Sequence, residues 1–251
     1  MRAVLFTVEE TLVPEQTPER WQWAWRPQGP VMPERHVRAA LKRSLHAWDR
    51  RRWEGLTGAQ PPVGLPEYRQ FLRSTLFGIA GHTLPEAETE AVVERFLKAP
   101  IDRPPHPEAA PTLSALRAQG LKLGALGDRP GPSGGENLKR AGLRAALDVV
   151  AGESPDAPWP PAKEAFREAV KALGCRPSEV LFVGHLYWSE VRAAHRAGLT
   201  TYLLDRAGWW GRVEERRILS LSELPALLSS PSAAAAPSPP SPEGPPPAPG
   251  P

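Results

Sequence analysis

The chain has 251 residues, 41% hydrophobic and 24% charged, with a formal net charge of +3 and a pI near 9.2. These values suit a soluble globular protein of one to two domains and exclude a wholly disordered or collagen-like chain. No apolar run approaches the roughly 18 residues of a membrane span, and Met1-Arg2-Ala3-Val4-Leu5-Phe6 is too short for a secretory signal.

One cysteine, Cys175, excludes an internal disulfide and a cysteine-based zinc site, so a cytoplasmic location is expected. The mildly basic balance permits an anionic ligand and does not argue for nucleic acid. Arginine outnumbers lysine 25 to 6, and Ala, Gly, Pro and Leu are abundant, a composition that points to a bacterial genome rich in G and C. Residues 231–251 hold 10 prolines and no aliphatic side chain larger than alanine. Residues 229–251 are therefore expected to be a disordered Pro/Ala-rich tail, unable to bury enough apolar surface to offset its ordering entropy.

In chain order, Arg2 to Val8 reads as a short buried strand. Residues 14–32 are rich in Pro, Gln and Trp and show no clear period. Val37, Leu41, Leu45 and Trp48 then step at helical spacing after Pro33. Tyr68, Phe71, Leu72, Leu76 and Ile79 predict a second helix, started near Pro66. Thr83 with Pro85 and Glu86 reads as a capping box for a third, which carries Val92, Val93, Phe96 and Leu97. A proline cluster from Pro100 to Pro107 closes this all-helical stretch, residues 15–101.

Strands and helices then alternate. Helices are expected around Leu113–Leu116, Leu138–Leu143, Phe166–Leu173, Val191–Ala197 and Leu224–Leu228. Strands are expected at Leu121–Leu126, Leu147–Val150, Val180–Val183 and Thr200–Leu204. This rhythm predicts an α/β class, a Rossmann-like parallel sheet covered on both faces, with the inserted all-helical domain after strand one. The core would comprise residues 1–14 and 102–228.

Open parallel sheets bind ligands at the carboxyl ends of their strands, which selects the residues that follow the apolar runs. They are Thr7, Glu9 and Thr11 after strand one, Gly127 and Asp128 after strand two, the Pro160–Lys163 segment, and His185 to Glu190.

The framework of these segments resembles the haloacid dehalogenase-like (HAD) hydrolase superfamily, in the branch with a helical cap after the first motif. Ala3-Val4-Leu5-Phe6-Thr7-Val8-Glu9-Glu10-Thr11-Leu12 is similar to the family's hhhhDxDGTL. Leu123-Gly124-Ala125-Leu126-Gly127-Asp128 stands for its second motif, a strand ending in Ser or Thr. Pro160-Pro161-Ala162-Lys163-Glu164-Ala165-Phe166 matches KPDPxxF, and Val183-Gly184-His185-Leu186-Tyr187-Trp188-Ser189-Glu190 matches VGDSxxND. The following Ala193-Ala194-His195-Arg196-Ala197-Gly198-Leu199 looks like the usual AARAAGM continuation. The likeness covers residues 1–228.

The resemblance implies a catalytic set of Thr7, Glu9, Asp128, Lys163, His185 and Glu190, but the chemistry at these positions departs from the family. The family's first Asp is a carboxylate nucleophile that forms a covalent intermediate; position 7 is Thr. Its second Asp is a general acid and base; position 9 is Glu, one methylene longer. The phosphoryl-holding hydroxyl is replaced by Gly127, and the motif-three Lys falls on Pro160, with Lys163 a helical turn away. The first metal-binding Asp is replaced by His185, which leaves Glu190 as the remaining candidate carboxylate. Magnesium prefers hard oxygen ligands, and phosphoryl transfer depends on metal and cationic clamping.

The sequence therefore predicts a catalytically degenerate HAD-like homologue, a pseudoenzyme that acts as a ligand-binding or protein-interaction module and needs no cofactor. It names no partner; a small anionic ligand or a protein are the expected classes, with no membrane. The alternative is an active hydrolase, either phosphatase-type with Mg²⁺ or using Thr7, His185 and Glu190 as a hydroxyl, imidazole and carboxylate triad.

Other features have simpler readings. The Gly124–Gly135 stretch fits neither the dinucleotide nor the P-loop spacing and reads as a loop. Arg35, Arg38, Lys42, Arg43, Arg50, Arg51 and Arg52 read as a solvated helix face, and the clustered tryptophans between Trp21 and Trp53 as core of the helical stretch.

Overall fold

The computed structural model describes residues 1–15, 17–26, 33–98, 104–127, 134–152, 163–211, 213 and 216–229. The expectations for Asp128, for Pro160–Ala162 and for the tail from residue 230 lie outside the described residues. The chain divides into two compact units, Met1–Pro14 with Asp102–Pro251, and Glu15–Ile101.

The first unit is built on a six-stranded parallel sheet: β1 (Ala3–Thr7), β2 (Lys122–Leu126), β3 (Val149–Ala151), β4 (Val180–Gly184), β5 (Thr200–Leu204) and β6 (Arg217–Ile218), in the order β3-β2-β1-β4-β5-β6. All five residues of β1 are buried, as a continuous apolar run in a central parallel strand requires. Thr7 pairs in register with Leu126 of β2, and Phe6 with Val183 of β4. From β1 the chain builds first toward β2 and β3, then toward β4, β5 and β6. The order therefore reverses between β1 and β4, and that switch point is where open α/β sheets place their ligand crevice.

Helices α5 (Ala109–Ala118), α6 (Gly134–Arg140), α7 (Lys163–Ala172), α8 (Ala193–Arg196) and α9 (Leu224–Ser229) accompany the strands. Leu113, Leu116, Phe166, Val170 and Leu224 turn buried faces to the sheet core. The expected helix over Leu138–Leu143 stops at Arg140, where Gly142 takes φ +70° and ends it. The helix expected from Val191 begins earlier, as a π-helical turn over Tyr187–Arg192 that runs into α8. The two-residue β6 carries too short an apolar pattern to be read from sequence.

The second unit holds α1 (Pro18–Trp25), α2 (Glu34–Thr57), α3 (Leu65–Ala80) and α4 (Glu86–Lys98), with no strand among its described residues. Helix α1 corrects the reading of residues 14–32 as patternless. Thr17 caps it, accepting a hydrogen bond from Arg20 N at 3.3 Å, and Pro18 occupies its first turn. Thr83 does not open α4, which starts at Glu86. Pro85 has no N–H to offer a cap, and the Thr89 hydroxyl bonds the Leu84 and Pro85 carbonyls instead.

Trp48 stacks on Phe71 at 5.1 Å and Trp21 on Phe96 at 4.3 Å, and these rings form the core of the unit. Arg20 lies over the Phe96 ring and donates to its carbonyl at 2.8 Å, so its buried charge is paired with a ring face and a dipole. Arg69 and Arg73 on α3 bridge to Glu86, Glu90 and Glu94 on α4.

Candidate functional site

The carboxyl ends of β1 and β4 meet around one carboxylate oxygen. Glu190 is fully buried, and its Oε2 accepts from the backbone N–H groups of His185 at 2.9 Å and Leu186 at 3.1 Å. The Thr7 hydroxyl donates to the same oxygen at 3.3 Å, and His185 Nδ1 lies 3.3 Å from it. The π turn makes this possible. Val191 N bonds the Leu186 carbonyl, an i→i+5 closure whose extra width lets the Glu190 side chain fold back beneath its own N-terminus.

Gly184 leaves room for that carboxylate. A Cβ there would sit 2.6 Å from Glu190 Oε2 and 2.8 Å from the Phe182 ring. On the other side of Thr7, the Thr11 hydroxyl lies 2.7 Å away, and both side chains are fully buried.

Glu9 is buried next to this group, and its Oε1 accepts from Asn137 Nδ2 at 3.3 Å. Glu10 has φ +54°, the only non-glycine residue with positive φ among the described residues. This left-handed turn lets Thr11 N reach the Glu9 carbonyl at 2.6 Å and Glu10 N reach the Val13 carbonyl at 2.8 Å.

Of the six site residues read from sequence, the structure joins Thr7, His185 and Glu190 directly and brings Glu9 beside them through Thr11. Lys163 is exposed at the start of α7, and among the described residues no hydrogen bond or ion pair connects it to the others. Asp128 lies outside the described residues.

Several neighbours were not read as site residues. Trp210 Nε1 donates to the His185 carbonyl at 2.9 Å, and Asp205 holds Trp210 and Trp209 through their backbone N–H groups. His106 is half-buried, and its N–H bonds the Leu12 carbonyl at 3.1 Å. Burial, and then the Arg206 cation, push the His106 imidazole down to about 4, so it is neutral at physiological pH. Asp205 and Arg206 follow β5 at the carboxyl edge, the same signal that selected His185 after β4, and could have been found by it.

Comparison with known proteins agrees with this architecture. A family described as haloacid dehalogenase-like hydrolase matches residues 1–198. The chain belongs to the HAD-like hydrolase family. It is 33% identical over 102 residues to a glyceraldehyde 3-phosphate phosphatase of Methanopyrus kandleri, which covers 41% of this chain and 44% of that protein. It is 30% identical over 143 residues to (S)-2-haloacid dehalogenase 1 of Pseudomonas sp. strain CBS-3, covering 53% and 60%. The chain thus spans less than half the length of the curated phosphatases it matches first. Among solved structures, the L-2-haloacid dehalogenase of Xanthobacter autotrophicus superposes with a TM-score of 0.64 at 19% identity, over 92% of this chain and 99% of that one, a likeness of fold.

Among the described residues, the donors at the ends of β1 and β4 are poorer in hard oxygen ligands than Mg²⁺ prefers: a hydroxyl, an imidazole, the Glu190 carboxylate, whose Oε2 already accepts from two amides and Thr7, and the Glu9 carboxylate beside them, which accepts from Asn137. No group of three His, Cys, Asp or Glu side chains comes together among the described residues.

Proposed function

We propose that this HAD-like protein is a degenerate member that works as a ligand-binding or protein-interaction module rather than as a metal-dependent hydrolase. The observation that carries this reading is the placement of Glu190 Oε2 under the His185 and Leu186 amides and the Thr7 hydroxyl. Where the family has a nucleophilic carboxylate, this chain has a hydroxyl committed to a neighbouring carboxylate. A hydroxyl protonated at neutral pH and hydrogen-bonded as a donor is a poor nucleophile.

The alternative, a hydrolase that uses Thr7, His185 and Glu190, meets a geometric objection. A nucleophilic triad runs from hydroxyl to imidazole to carboxylate. Here Thr7 donates to the carboxylate itself, and His185 Nδ1 faces that same oxygen.

The test is hydrolysis of p-nitrophenyl phosphate and dehalogenation of 2-chloropropionate by the purified chain, with Mg²⁺, with Mn²⁺ and with EDTA. The expected result is no product above a blank in any arm. Turnover that persists in EDTA and disappears in His185→Ala would establish the Thr7–His185–Glu190 hydrolase. Turnover that needs Mg²⁺ and survives Thr7→Ala would assign the nucleophile to another carboxylate, Glu9 or Glu10.

A further inference from the structure

The α/β unit comprises two stretches of chain, one that ends at Pro14 and one that begins at Asp102. The last turn of the first stretch and the first turn of the second meet directly at one hydrogen bond and are bridged by Arg206. His106 N bonds the Leu12 carbonyl at 3.1 Å. Arg206, which follows β5, sends Nη2 to the Thr11 carbonyl at 2.9 Å, and the same atom lies 2.8 Å from Glu108 Oε1.

These contacts fall on the carbonyls of consecutive residues, Thr11 and Leu12, in the turn that holds Glu10 at φ +54°. A non-glycine residue in that region is disfavoured by roughly 1–2 kcal/mol and persists only where its surroundings hold it. The Arg206 and Glu108 side chains are each 23% exposed, so their pair is shielded enough to hold geometry. The Arg206 bond to the Thr11 carbonyl fixes the residue whose hydroxyl lies 2.7 Å from that of Thr7.

We propose that Arg206, with Glu108 and His106, forms a clasp that ties the two stretches of the unit together and positions the Thr11 hydroxyl on Thr7. Arg206 is a positioning residue in this arrangement; it touches the Thr11 backbone and not Thr7. It lies beyond residues 1–198, the span that the family match covers. The Nη2 nitrogen carries two N–H donors, enough to meet the Thr11 carbonyl and the Glu108 carboxylate from one position. The groups that face the His106 imidazole are Arg206, Glu108, the Glu10 carbonyl and His185, and Arg206 and His185 both oppose its protonation.

Amide hydrogen exchange on the full chain tests the clasp without reference to any activity. Arg206→Met should accelerate exchange by about tenfold or more in both segments 8–13 and 104–110, and leave β4 within about twofold of the parent. Glu108→Gln should accelerate the same two segments by a smaller factor, and it stands in if Arg206→Met does not fold.

A second readout separates positioning from packing. In an NMR titration the His106 imidazole should rise above its value of about 4 in Arg206→Met, and stay low in Arg206→Lys, which keeps the charge. Acceleration of only one segment, acceleration of β4 by the same factor, or an unmoved His106 titration in Arg206→Met would each overturn the proposal.

Discussion

The hydroxyls of Thr7 and Thr11 lie 2.7 Å apart at the buried end of the central strand. Thr7 donates to Glu190, 183 positions away in sequence, and so Thr11 can donate to Thr7. The resulting chain of hydrogen bonds runs from the β1 turn to the β4 turn and ends on a carboxylate held by two amides. The end of the central strand therefore carries a hydroxyl network tied to the Glu190 carboxylate.

That network makes Glu190 important for stability. Glu190→Ala should destabilise the fold by about 2–3 kcal/mol, because two amides and a hydroxyl lose a charged acceptor inside the protein. Glu190→Gln keeps one acceptor oxygen and should cost less, about 1 kcal/mol. Urea denaturation midpoints measure both; equal losses, or no loss in either, would contradict the network.

Glu10 is the residue most easily improved. Glu10→Gly should stabilise the protein by roughly 0.5–1 kcal/mol, since glycine takes the left-handed turn without a Cβ penalty but loses more chain entropy on folding. A lower thermal midpoint in Glu10→Gly would show that the Glu10 side chain contributes more than its backbone costs.

His106 sets a pH dependence. Its ordinary value of 6.5 falls to about 4 in the folded chain, so the unfolded chain binds the proton more readily. Stability should be fully present above about pH 6.5 and fall as the pH drops toward 4, by about 2 kcal/mol once partial exposure is discounted. His106→Phe should flatten the curve in that window. An unchanged slope in His106→Phe would assign the acid sensitivity to other groups.

Much of this architecture was legible because it rests on local patterns. The apolar runs of β1, β4 and β5 and the period of α2 and α3 are set by burial, and burial leaves its mark on every second, third or fourth residue. Helix α1 escaped because its signal lay in a cap: Thr17-Pro18-Glu19 opens it, and only Trp21 and Ala24 of its clear hydrophobics are buried. The site was legible in its positions and not in its contacts. Thr7, His185 and Glu190 follow from strand ends, but the π turn that folds Glu190 back depends on Gly184 and on tertiary fit. His106 escaped because it belongs to no motif and is joined to the β1 turn only by the folded chain, whereas Arg206 carries the strand-end signal of β5 and was passed over. Lys163 was read from motif spacing alone, and its exposed position on α7 gives it no partner among the other site residues described.

The measurement that bears most directly on the degenerate reading is restoration of the family's side chains in one variant. A Cβ at Gly127 would meet the Gly152 carbonyl at 3.4 Å, an ordinary van der Waals contact. In Thr7→Asp/Gly127→Ser/His185→Asp, with circular dichroism to show that the variant is folded, Mg²⁺-dependent hydrolysis of p-nitrophenyl phosphate should exceed the parent's by about 100-fold or more, equivalent to about 2.7 kcal/mol of barrier. The parent should show no Mg²⁺-dependent turnover above the blank. A parent chain that hydrolyses the ester with Mg²⁺ as fast as the restored variant would contradict the account.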